Sequence, residues 1–202
     1  MRIRIDLKIF IFLIIFYFTN QIKIYLIIMF FCFLHEIGHI MVGLILKMKP
    51  EKIEIMPFGL SASFYMNYDD KKFKIKEIFV ALAGPITSLV LMVLCQNVNL
   101  IYITRQEAVY SNFLILIFNL LPVYPLDGGR IIEGILQIKL GTVKAENIIS
   151  KISYITMIIV TGISSIAVYY YKNIAIFLIC IFLWSIVLRE KNGKTLDILR
   201  EK

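Results

Sequence analysis

The chain of 202 residues contains two histidines, and they stand four apart in His35-Glu36-Ile37-Gly38-His39. On a helix, positions i and i+4 differ by about 40° in azimuth, so both imidazoles share one face with Glu36 beside them. Two neutral imidazoles so placed can chelate one Zn²⁺ and leave a carboxylate next to the ion's open coordination position. Catalytic zinc usually has three protein ligands, so the third must come from elsewhere in the chain. There is no further histidine, and Cys32, Cys95 and Cys180 lie singly in apolar runs. Asp127, at the edge of another apolar run, is the acidic residue best placed. Cys32, one turn before His35, reads as a small packing residue.

The elements that must position these groups follow from composition. Hydrophobic residues make up 59% of the chain and charged residues 18%, and the mean hydropathy is +0.82. A soluble domain carries about 25% charged residues, so most of this chain belongs in lipid. That excludes a soluble enzyme and a nucleic-acid-binding domain. Apolar runs at Ile9–Thr19 and Ile24–Leu46, and later uncharged stretches at Ile78–Cys95, Ala108–Leu126, Ile152–Tyr171 and Asn173–Leu188, are read as membrane spans, the later ones each close to the roughly 20 helical residues that cross a hydrocarbon core. The first imitates a signal peptide but lacks a small-residue cleavage site, so it is read as a short retained span. With six spans and a cytoplasmic N-terminus, all but Lys23, Arg105 and Lys172 of the 22 Lys and Arg residues fall inside, as the positive-inside rule requires. The formal charge of +8 is then an orientation signal and needs no polyanionic partner.

The expected fold is therefore an all-α, multi-pass membrane protein of six transmembrane helices with both termini cytoplasmic, forming a single domain over residues 1–202. No repeat or long linker divides it. Between the second and third helices, Ile53 to Tyr65 alternates and then turns at Pro57-Phe58-Gly59, which predicts a short membrane-associated β-hairpin. Pro122 and Pro125 remove helical hydrogen bonds and predict irregular backbone before Asp127. Gly128-Gly129 permits close approach to the metal helix or positive φ. Gly84-Pro85 predicts a kink or a close helix contact, and Arg130 and Glu133 are placed at the cytoplasmic water interface.

Ionisable groups within spans cost about 2.5–3.5 kcal/mol each even on the lenient insertion scale, so they mark function by default. A metal transporter or sensor should carry polar ligands on several spans and often a repeat between halves; here they concentrate on two spans without a repeat. A catalytically inactive scaffold leaves the intact Glu36 unexplained.

With FLHEIGH at residues 33–39, MPFGLSAS at 56–63, LAGPITS at 82–88 and FNLLPVYPLDGG at 118–129, the chain resembles the site-2 protease family of intramembrane zinc metalloproteases. Its compact layout is most similar to the sporulation branch. The resemblance implies one Zn²⁺ per chain held by His35, His39 and Asp127, Glu36 as catalytic base and acid, and Asn119 in substrate or intermediate contacts. It also implies that Pro57, Phe58 and Gly59 belong to a hairpin that pairs with unwound substrate. The implied activity is hydrolysis of a peptide bond in or near the membrane-associated segment of a tethered substrate, a pro-sigma factor in the sporulation branch, with inhibitory membrane proteins as further partners. Neither a CBS nor a PDZ domain is expected. Leu60 stands where relatives often have a second glycine.

Overall fold

The computed structural model describes residues 2–5, 8–48, 50–56, 59–64, 71–97, 102–171, 180–181, 183–185 and 187–188. They fall into two compact units, Met1–Leu120 and Leu121–Lys202.

The first unit is built on three helices, α2 (Ile22–Ile45), α3 (Lys71–Cys95) and α4 (Arg105–Asn119), preceded by the short α1 (Lys8–Phe18). α4 begins where Thr104 and Glu107 form a capping box: Thr104 Oγ1 accepts from the Glu107 N–H at 3.2 Å, and Glu107 Oε2 accepts from the Thr104 N–H at 2.9 Å. Such a box satisfies two otherwise orphaned groups. Lys23, in the first turn of α2, donates to Glu107 Oε1 at 2.8 Å, so α2 and α4 start at the same end and run parallel. α3 runs antiparallel to α2, because His35 and His39 meet Ser88 and Val80 in reverse order. Ile27 and Phe31 of α2, Cys95 of α3, and Ala108 and Ile115 of α4 form the core between them. In lipid, helix association depends on close van der Waals fit rather than on water release. Gly38 supplies that fit, since a Cβ there would collide with the Thr87 side chain and come within 3.2 Å of the Ala83 carbonyl.

The expected architecture is corrected in two respects. Among the described residues, three helices are long and apolar enough to cross a membrane, Ile22–Ile45, Lys72–Cys95 and Thr142–Tyr170, where six were expected. α1 has 11 residues, about 16 Å at 1.5 Å per residue. α4 has 15 residues and stops at Asn119, because Pro122 and Pro125 cannot continue it. Most of the run expected at 173–188 lies outside the described residues. Nor is the fold all-α with an isolated pair of strands: Arg2–Ile5 (β1), Pro50–Met56 (β2) and Gly59–Phe64 (β3) form a three-stranded sheet in the order β1-β2-β3. β1 lies parallel to β2, with Ile3 opposite Ile53, and β3 lies antiparallel to it, with Met56 opposite Gly59.

The second unit contains α5 (Asp127–Leu140) and α6 (Thr142–Tyr171), separated by Gly141 at φ 82°. Residues 120–126 before α5 are irregular and include a cis Tyr124–Pro125 peptide. The Tyr124 N–H donates to Ser153 Oγ of α6 at 3.0 Å. The close neighbour that Gly129 accommodates is the Val123–Tyr124 backbone, 2.5 Å from where a Cβ would stand. α6 begins ten residues before the expected span. Glu133 is buried, contrary to its expected place at the water interface.

Candidate metal centre

His35 lies 13 residues into α2 and His39 lies 6 residues before its end, about 20 Å and 9 Å along the axis at 1.5 Å per residue. Both rings, and Glu36 between them, are buried at 4–8% exposure. The helical spacing puts the two imidazoles edge to face, with centroids 4.9 Å apart and an interplanar angle of 77°. α3 supplies the outer partner of each ring. His39 Nδ1 donates to the Val80 carbonyl at 2.6 Å, and His35 Nδ1 meets Ser88 Oγ at 2.8 Å. With the Nδ1 atoms turned outward, the two Nε2 atoms face each other at 3.2 Å. The Glu36 carboxylate lies 3.9 Å from His39 Nε2.

This arrangement fits a zinc ion. Two Zn–N bonds of about 2.0–2.1 Å closing on nitrogens 3.2 Å apart meet at about 100°, near the tetrahedral angle. Zinc-bound histidines characteristically give their other ring N–H to a carbonyl or similar acceptor, the position that Val80 O occupies for His39. Space for the ion is kept by Gly84, whose absent side chain would point at the pair: a Cβ there would lie 2.5 Å from His35 Nε2 and closer still to the His39 ring. The close contact expected at Gly84-Pro85 is thus a contact with the imidazoles.

Of the other candidate residues, Asp127 is the first residue of α5 and is buried, where a carboxylate is favoured by the positive end of the helix dipole. Asn119 ends α4, and its Nδ2 donates to the Ile115 carbonyl of its own helix at 3.0 Å. Pro57 and Phe58 lie outside the described residues, and Gly59 opens β3. Sequence reasoning missed Ser88 and the Val80 carbonyl. Their signal was present, because Val80, Gly84 and Ser88 recur at intervals of four and so share one helical face.

Long apolar helices, with an imidazole pair and a carboxylate inside one of them, define an integral membrane protein with a candidate metal site. Residues 96–160 match Peptidase family M50. A zinc metalloprotease of Methanocaldococcus jannaschii is 32% identical over 161 residues, 75% of this chain and 44% of that protein. Stage IV sporulation protein FB of Bacillus subtilis is 25% identical over 139 residues, 67% of this chain and 48% of that protein. The chain thus spans less than half the length of both curated relatives. The solved structure of a site-2 protease from Methanocaldococcus jannaschii shares the fold, with a TM-score of 0.65 and 23% identity over 93% of this chain and 89% of that one. Residues 96–160 thus carry the likeness to peptidase family M50, and the chain is similar to the two curated relatives over 75% and 67% of its own length.

Proposed function

We propose that this chain is an intramembrane zinc metalloendopeptidase, cleaving a peptide bond in or near the membrane-associated segment of a tethered protein substrate. The observation that carries the reading is the pair of inward-facing Nε2 atoms on α2, 3.2 Å apart with the Glu36 carboxylate beside them. In the proposal, His35, His39 and Asp127 hold one zinc ion per chain. When bound, the ion lowers the pKa of a water molecule toward about 7 and polarises the scissile carbonyl. Glu36 takes the water's proton on its carboxylate and returns it to the leaving amine. Asn119 and Pro57-Phe58-Gly59 are assigned to holding the substrate.

His39 stands nearer the C-terminal end of α2, the end that leads into the Lys-rich residues 47–76. Basic segments stay on the cytoplasmic side. The reaction is therefore placed toward the cytoplasmic leaflet, with both basic termini on that side. A pro-sigma factor as substrate and inhibitory membrane proteins as regulators are proposed from the resemblance of the sequence motifs to the sporulation branch.

The test is co-expression with a membrane-tethered pro-sigma factor, comparing the parent with Glu36→Gln at equal protein level and equal bound zinc. Loss of a general base costs about 10²–10⁴-fold in rate, so Glu36→Gln should keep its zinc and lose cleavage. Unchanged cleavage in that variant would end the proposal.

A further inference from the structure

Asp127 follows directly on a turn that is held from two sides. The Leu126 N–H donates to the Val123 carbonyl at 2.8 Å, and the Leu126 carbonyl accepts from the Arg130 N–H at 2.9 Å, so residues 123–126 close a turn that runs straight into α5. The Tyr124 N–H of that turn donates to Ser153 Oγ of α6 at 3.0 Å. From α5, Gly129 seats against the same backbone, where a Cβ would lie 2.5 Å from Tyr124 N and from the Val123 carbonyl. Val123 and Ser153 are 0% and 2% exposed, so water does not compete for the serine hydroxyl. Other hydroxyls of α6 stay within their own helix: Thr161 donates to the Met157 carbonyl, and Ser164 and Ser165 donate to the Thr161 carbonyl. Ser153 instead reaches the turn that leads to Asp127.

We infer that Ser153 is a positioning residue that fixes the turn before α5 and so holds Asp127 ready for the metal. This rests on the zinc reading above, in which Asp127 is a ligand. The bond from Leu126 to Val123 couples the turn to the first residues of α5, so whatever holds Tyr124 also limits the movement of Asp127. Irregular backbone at membrane depth is kept only where protein or enclosed water satisfies it, and Ser153 supplies one such partner. A ligand already held near its binding geometry loses less freedom when the ion arrives. Alanine at position 153 keeps the helix and removes the bond, and zinc must then order a looser turn as it binds. Ser164 is the matched comparison: it is the same residue on the same helix, 3% exposed, with its hydroxyl on the Thr161 carbonyl at 2.9 Å.

The test compares the full-length parent in detergent with Ser153→Ala and Ser164→Ala. In the metal-free protein, amide hydrogen exchange over residues 121–127, read by mass spectrometry, should be faster in Ser153→Ala than in the parent and unchanged in Ser164→Ala. Zinc affinity, read by competition with a chromophoric chelator, should fall about 10–100-fold in Ser153→Ala, the range for lost outer partners of metal ligands, and stay at the parent value in Ser164→Ala. Cobalt(II) in place of zinc should show an altered visible absorption in Ser153→Ala alone, which a general loosening of α6 would not produce. Parental zinc affinity or parental exchange in Ser153→Ala, or an equal fall in affinity in both variants, would overturn the role of Ser153 and leave the zinc reading standing. A parent that takes up neither zinc nor cobalt would refute the zinc reading, and the role of Ser153 with it.

Discussion

A methyl group placed on Gly84 would enter the space between the two imidazoles. Its carbon would stand 2.5 Å from His35 Nε2 and overlap the His39 ring more closely, whereas ordinary van der Waals separation for such atoms is about 3.5 Å. The rings cannot retreat without stretching the bonds from their Nδ1 atoms to Ser88 at 2.8 Å and Val80 at 2.6 Å. Overpacking costs about 1–3 kcal/mol, and a buried polar group left unsatisfied costs about 1–3 kcal/mol more. If both fall on the zinc-competent arrangement, the total is roughly 2–6 kcal/mol. At about 1.4 kcal/mol per decade, Gly84→Ala should bind zinc at least about 30-fold more weakly than the parent. The assay is chelator competition on purified protein, with thermal unfolding run alongside. Gly38→Ala is the comparison, because its added carbon meets Thr87 and Ala83 rather than the histidines; it should lose stability and keep its zinc affinity. Parental zinc affinity in Gly84→Ala would refute the placement of the ion opposite this glycine.

Other expected outcomes are independent of that one. Hydrogen bonds from Lys23, and then from the Thr104 backbone and side chain, hold the Glu107 carboxyl down at about 2, against an ordinary value of 4.5. A lowered folded-state pKa contributes stability that is complete above the unfolded value and is lost as pH falls from about 4.5 toward 2. Parent and Glu107→Gln should therefore differ in melting temperature at pH 6 and converge near pH 2; a constant gap would refute the link. Asp127→Ala should release zinc while leaving the helical circular dichroism unchanged, and full zinc occupancy would remove it from the ligand set. Gly162→Ala, with nothing within 4 Å of the added carbon, should keep parental zinc affinity and gain about 0.5–1 kcal/mol of stability from helix propensity; a loss of stability would show an undescribed contact on α6.

What could be read from the sequence was local. The shared face of His35 and His39 follows from helical period alone, as does the break before Asp127 from Pro122 and Pro125. What escaped depended on distant pairing or on which helix faces meet. β1 joins Arg2–Ile5 to a strand about 50 residues away, and nothing near residue 2 announces it. Hydropathy ran through to Leu126 where α4 ends at Asn119, because an apolar run does not mark a helix end. Ser88 became an outer partner of His35 only when α3 was laid antiparallel to α2 with the face of Val80, Gly84 and Ser88 turned inward.

The most direct test of the central claim is zinc-edge X-ray absorption on purified Glu36→Gln protein, which should hold the metal without turnover. One zinc per chain is expected, with two imidazoles and oxygen in its first coordination sphere at about 2.0–2.2 Å. A sulfur shell near 2.3 Å, implicating Cys32, or a single imidazole, would contradict it.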